Sequence, residues 1–175
     1  MSELIFITGG ARSGKSGLAV RFAKETKSKV CFIATCRPQD GEMRERVRKH
    51  KLSRPKSWKT IEEPLDLAKA VKMASRMSSC VIIDCLTLWI SNLVLSGAAD
   101  RDIRLYALEA IQAIRRSKAN AIVISNEVGS GIVPDNQIAR GFRDIAGEVN
   151  QAFARSSDKA YFAVSGLPVL LKGAE

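Results

Sequence analysis

The sequence predicts one α/β domain spanning residues 1–175, its mostly parallel sheet flanked by helices. Three observations predict it. Five short segments are nearly continuous in hydrophobicity rather than alternating, as in parallel strands covered on both faces. Amphipathic stretches separate them, so strand and helix alternate along the chain. At 175 residues the chain is long enough for one well-filled core and short for two.

Leu4–Thr8 (LIFIT) is the first strand, and a helix over Lys15–Thr26 follows it. Val30–Ala34 (VCFIA) leads into a charged helix over Glu42–Lys51, with Met43 and Val47 on one face. Pro64–Met77 reads as a helix that begins with proline, whose missing N–H costs nothing in a first turn. Cys80–Asp84 (CVIID) is the most apolar strand. Ile103–Ser117 repeats apolar residues at helical spacing through Leu108, Ile111 and Ile114. Ala121–Ser125 (AIVIS), a helix over Gln137–Ala154 and Ala160–Val164 (AYFAV) complete the alternation, and Pro168–Lys172 reads as an added edge strand.

Composition narrows the function classes. An apolar share of 46% is that of a packed globular protein and argues against disorder. Lys and Arg number 28 against 18 Asp and Glu, and the net charge of +10 suits an anionic partner: nucleotide phosphates, nucleic acid or an acidic surface. The apolar region Val81–Leu95 is interrupted by Asp84, and no uncharged run approaches the ~20 residues of a membrane span. The first residues lack the basic start and long apolar stretch of a secretory signal, so a cytoplasmic location is expected. Cys31, Cys36, Cys80 and Cys85 form two C-x4-C pairs whose spacing is not the favoured one for zinc. Cys31 and Cys80 lie in strand-like runs and read as small buried hydrophobes.

The residues Gly9, Gly10, Ala11, Arg12, Ser13, Gly14, Lys15 and Ser16 match G-x-x-x-x-G-K-[ST] at every fixed position. A strand precedes them and a helix follows, which is the setting this phosphate-binding loop requires. Its glycines let backbone N–H groups turn inward around phosphate oxygens, and the helix N-terminus adds a positive dipole end. Lys15 is expected to neutralise charge on the β- and γ-phosphates, and the Ser16 hydroxyl to ligate Mg²⁺. Asp84 ends the most apolar strand at the sheet edge where α/β proteins bind ligands, and reads as the second metal-ligating group. Glu127 ends the next strand and is either a second acid at that rim or a structural loop residue. The expected class is therefore a P-loop nucleoside-triphosphate enzyme, with a RecA-like order of elements.

His50 is the lone histidine. It shares a predicted helix face with Met43 and Val47, and Arg44, Arg46, Arg48, Lys49, Lys51 and Arg54 surround it. Those cations would lower an imidazole pKa and keep it neutral and nucleophilic. The same basic run equally fits a solvated helix face or a nonspecific polyanion patch. Residue chemistry alone leaves both readings open.

Several further segments follow in a distinctive order. They are IAT at 33–35, R-x-x-x-H-K-x-x-R-P at 46–55, NEVG-x-GIVP-x-N at 126–136, AR-x-FRD-x-AG-x-x-NQ at 139–151 and VSGLP at 164–168. With the loop at 9–16 they resemble the bifunctional adenosylcobinamide kinase / adenosylcobinamide-phosphate guanylyltransferase family of cobalamin biosynthesis, from Leu4 to Lys172. The resemblance implies two reactions. The γ-phosphate of ATP or GTP moves to the aminopropanol hydroxyl of adenosylcobinamide. GTP then guanylylates a histidine, and the phosphorylated acceptor takes up the GMP to give adenosylcobinamide-GDP and pyrophosphate. By matching position, His50 is the guanylylated residue, and Lys15 shares the catalytic role. Ala34, Thr35, Cys36, Lys51, Leu52, Ser53, Arg54, Glu62 and Asp84 join residues 9–16 as nucleotide contacts, with Ser16 and Asp84 holding the metal. Cys36 stands where the family pattern carries a hydroxyl residue, and Asp84 where relatives can carry Glu. The resemblance further implies a homotrimer that acts on small-molecule substrates, without nucleic acid. A plain small-molecule kinase and a nucleic-acid-binding ATPase are the rival classes; the first makes no covalent use of His50, and the second lacks a recognisable basic–aromatic platform.

Overall fold

The computed structural model describes the chain except Met1, Gln39, Ser53 and Glu175, and leaves aside the side chains of Arg46, Lys49 and His50. Among the described residues seven strands form one sheet: β1 (Leu4–Thr8), β2 (Val30–Ala34), β3 (Lys59–Glu62), β4 (Cys80–Asp84), β5 (Asn120–Ile124), β6 (Lys159–Val164) and β7 (Leu167–Lys172). Their order is β3-β2-β4-β5-β1-β6-β7, all neighbours parallel except the β6–β7 hairpin. The helices that connect them are α1 (Lys15–Glu25), α2 (Gly41–Leu52), α3 (Leu67–Met77), α4 (Leu86–Leu95), α5 (Asp100–Arg116) and α6 (Gln137–Ser156).

Strands β1, β2, β4 and β5 are mostly apolar because each feeds two cores. Side chains alternate across the sheet, so Val81, Ile83 and Val123 join Leu67, Trp89, Ile103, Ile114 and Phe153 on the face covered by α3 to α6. Cys80, Ile82, Ile122 and Ile124 point the other way, toward Leu18 and Ala19 of α1. Cys31 and Cys80 are fully buried in these layers, as expected of small hydrophobes. Burial raises the Cys80 thiol to about 11.

Four expectations need correction. Residues 59–62 form β3, which the apolar pattern missed: Lys59, Thr60 and Glu62 are exposed on an edge strand, so hydrophobicity does not mark it. The segment 86–95 is α4, buried on so many sides that its apolar run shows no helical stripe. Helix α3 begins at Leu67 rather than Pro64, because Asp66 supplies the N-cap by accepting from the Lys69 N–H at 2.9 Å. Helix α5 starts at Asp100, three residues before the expected Ile103, with Asp100 and Asp102 favouring its positive end. Of the apolar residues at helical spacing in α5, Ile111 and Ile114 are buried and Leu108 is half exposed. Among the described residues no helix is long and apolar enough to cross a membrane.

Candidate nucleotide-binding site

The strand ends at Thr8, Ala34, Asp84 and Ile124 bring their loops to one edge of the sheet, since these strands run parallel. Thr8 passes directly into the predicted loop. Gly9 (φ 152°) and Gly14 (φ 95°) adopt backbone angles that favour glycine, and Gly14 is the N-cap of α1. A Cβ at Gly9 would lie 2.3 Å from the Ala163 carbonyl oxygen, and one at Gly14 3.0 Å from the Gly166 Cα. The loop therefore leans against the β6–β7 turn. Ser165 and Gly166 make that turn with positive φ at both positions, and the Gly166 N–H donates to the Ser13 carbonyl at 3.0 Å.

Lys15 is buried, its ammonium donating to the Gly9 carbonyl at 2.8 Å, the Gly10 carbonyl and the Ser13 hydroxyl at 3.2 Å. Burial lowers its pKa, an effect opposed by the neighbouring Cys85 and Asp84. Ala11 and Arg12 are exposed at the loop tip. The first turn of α1 holds no acidic side chain, so its dipole end is left to an anion. Ser16 donates its hydroxyl to Asp84 Oδ2 at 3.2 Å, uniting the two predicted metal-ligating residues from α1 and β4.

The exit of β2 is stitched to the same place. Thr35 is fully buried; its hydroxyl donates to the Cys85 carbonyl and accepts from the Cys85 N–H, both at 2.8 Å. Its own N–H donates to the Asp84 carbonyl at 3.2 Å, and its carbonyl accepts from Asn92 Nδ2 at 2.7 Å. The Ala34 carbonyl accepts from the Glu63 N–H, and Cys36 continues the segment at the half-buried surface.

Residues after α2 return to this rim. The Arg54 guanidinium stacks on Phe32, 3.2 Å from the ring centroid. Burial lowers the Arg54 pKa while Asp84 opposes the shift, which sets the cation in the field of the Asp84 carboxylate. Arg54 Nη1 is buried with no hydrogen-bond partner among the described residues. Lys51 Nζ meets Glu62 Oε1 at 2.5 Å, tying the end of α2 to β3. Leu52 is exposed. His50 belongs to the backbone of α2, its imidazole outside the description, and Ser53 lies outside the described residues.

The structure adds residues that motif reading left unplaced. The Thr87 hydroxyl, on α4, accepts from the Asn126 N–H at 2.7 Å and pairs with the Ser125 hydroxyl at 3.2 Å. Asn150, on α6, donates to the Asn126 carbonyl at 3.1 Å. Asn126, the residue before Glu127, is thus held at both its N–H and its carbonyl, and the Glu127 N–H donates to the Gly9 carbonyl at 2.9 Å. The NEVG and NQ segments carried this signal in sequence; their contact with the phosphate loop needed the fold.

Comparison with known proteins agrees with this layout. The family model described as cobinamide kinase / cobinamide phosphate guanyltransferase matches residues 5–171. A bifunctional adenosylcobalamin biosynthesis protein of Pseudomonas aeruginosa is 42% identical, the match covering 95% of this chain and 96% of that one. One from Escherichia coli strain K12, bearing the same description, is 35% identical over 97% of this chain and 99% of its own. Among solved structures, the RadB recombinase superimposes with a TM-score of 0.51 at 15% identity, over 91% of this chain and 73% of that one. That likeness extends to the RecA-like P-loop fold alone.

Proposed function

The chain belongs to the cobinamide kinase / cobinamide phosphate guanyltransferase family, and on that premise we propose how its residues divide two transfers between them. It is a bifunctional enzyme that phosphorylates adenosylcobinamide from ATP or GTP and then joins GMP from GTP to the phosphorylated product. The observation that carries the reading is the Ser16–Asp84 contact at 3.2 Å beside the Lys15 cradle. A loop that only turned the chain would have no use for this pair.

Ser16 and Asp84 offer a hydroxyl and a carboxylate, the hard oxygen donors that Mg²⁺ takes beside substrate phosphates. An ion held by these two residues would supply charge neutralisation to the triphosphate. Lys15 trades its carbonyl partners for phosphate oxygens and holds the triphosphate in line. The acceptor hydroxyl forms its bond to the γ-phosphorus as the β–γ bridging bond breaks, and the leaving diphosphate keeps the electron pair.

In the second transfer a His50 ring nitrogen bonds to the α-phosphorus of GTP and pyrophosphate leaves. The phosphate of adenosylcobinamide phosphate then displaces the imidazole. Covalent catalysis replaces one difficult displacement by two easier ones. Support comes from the anchoring of its neighbours at the rim, Lys51 on Glu62 and Arg54 on Phe32 beside Asp84. Ala34, Thr35, Cys36, Leu52 and Ser53 complete the nucleotide contacts in this reading, and a cytoplasmic homotrimer is its assembly and location.

Incubation with α-labelled GTP tests the covalent half. Wild type should retain acid-labile, alkali-stable label, and His50→Ala none. Equal label on both proteins overturns the histidine assignment.

A further inference from the structure

Phosphoryl transfer to an alcohol releases a proton, and none of the residues assigned so far receives it. Lys15 and Arg54 are donors without acceptor capacity. Asp84 and Ser16 face each other as the metal pair. Glu127 is the acid the sequence left undecided.

Strand order decides where it stands. Strand β5 lies between β4, which ends in Asp84, and β1, which ends in the phosphate loop. The chain leaving β5 therefore emerges between the metal pair and the cradle. The Glu127 N–H and the Lys15 ammonium donate to the same Gly9 carbonyl, at 2.9 and 2.8 Å. One oxygen atom thus separates the backbone of Glu127 from the cation that binds the β- and γ-phosphates.

Its carboxylate is held as well. Glu127 Oε1 accepts from the Gly129 N–H at 2.5 Å. A Cβ at position 129 would sit 2.8 Å from that oxygen, so glycine there is what lets the carboxylate fold against its own loop. Thr87 and Asn150 fix the preceding residue from α4 and α6. An acid that only terminated a strand would need neither the two-sided grip nor the glycine.

We propose that Glu127 is a catalytic residue of the phosphoryl-transfer step, taking the proton of the acceptor hydroxyl as that oxygen bonds to the γ-phosphorus. The inference rests on the kinase half of the function above. The proton passes from the hydroxyl to the carboxylate, the acceptor oxygen keeps the freed electron pair for its new bond to phosphorus, and the diphosphate leaves with the pair of the broken one. The guanylyl transfers need no such base, because imidazole and a phosphate oxygen attack without losing an alcohol proton.

Phosphorylation of adenosylcobinamide by Mg²⁺-ATP, and GMP transfer from GTP to preformed adenosylcobinamide phosphate, are measured side by side. Glu127→Gln keeps an oxygen for the Gly129 N–H and loses the base, so kcat of phosphorylation should fall by about 100-fold or more at unchanged KM for ATP. GMP transfer should stay within about 3-fold of wild type, because base loss leaves it untouched. Glu127→Asp should restore part of kcat. Gly129→Ala should lower the same kcat with an unchanged melting temperature, since the clash falls on the movable end of a side chain. Undiminished phosphorylation by Glu127→Gln overturns the inference alone, as does equal loss of both reactions, which marks a merely structural role. A wild type that phosphorylates nothing overturns the kinase reading and this inference with it.

Discussion

Thr35→Val is the sharpest single probe of how the rim is held together. Valine fills the same space but puts a methyl where the hydroxyl both donates to the Cys85 carbonyl and accepts from the Cys85 N–H. The two losses differ. The Cys85 carbonyl still accepts from the Trp89 N–H at 3.2 Å, so it loses a surplus bond of about 1 kcal/mol. The buried Cys85 N–H loses the partner it has here and carries the penalty of an unsatisfied donor, about 2 kcal/mol within a range of about 1–3. The sum of about 3 kcal/mol corresponds to a melting point lower by about 6–12 °C for a chain of this size. Urea and thermal unfolding of wild type, Thr35→Val and Thr35→Ser measure it. Serine keeps the hydroxyl and loses one methyl, so it should cost about 1 kcal/mol. Phosphorylation should fall further in Val than in Ser, because Cys85 directly follows Asp84. A valine variant within 0.5 kcal/mol of wild type would refute the reasoning, since that change is smaller than about 1 kcal/mol, the least expected of one orphaned donor.

Other consequences are as direct. Gly9→Ala should weaken nucleotide binding and destabilise the fold by about 1–3 kcal/mol through its backbone angle and the clash with Ala163; Gly10→Ala, which meets nothing within 4 Å, should do little to stability, and paired unfolding curves with nucleotide titrations compare them. The Cys80 thiol, raised by burial from 9.0 to about 11, binds its proton in the folded state after the unfolded chain has lost its own. Its contribution is therefore full below pH 9 and lost as pH rises through about 11, so the stability gap between wild type and Cys80→Ala should narrow over that window; a gap that widens reverses the sign. Cys85, raised to about 12 by burial, should resist iodoacetamide in the native protein at pH 8.5, which mass mapping of alkylated sites checks.

What the sequence disclosed followed from how strongly local chemistry marks each element. The phosphate loop was legible because its backbone tolerates few residues at its fixed positions. Strands β1, β2, β4 and β5 were legible because burial on both faces leaves polar residues only at the ends of each run. Strand β3 escaped because an exposed edge of Lys, Thr and Glu is held by its pairing with β2, a contact that no local pattern records. Helix α4 escaped for the opposite reason, being apolar on nearly every side. Within the site, Ser16 and Asp84 were foreseen together, although 68 positions part them. The Thr35 hydroxyl reaches backbone atoms of Cys85 and the Glu127 N–H reaches the Gly9 carbonyl; the partner in each bond is a backbone group, which every residue shares, so residue identity did not announce the pairing.

The contact between the phosphate loop and the β6–β7 turn joins segments that lie far apart in the sequence. Residues 9–14 are made well before the wall they rest on, Ala163 to Gly166. A chain cut before β6 thus carries the full glycine signature without a finished cradle, and competence to capture a triphosphate waits on the β6–β7 turn.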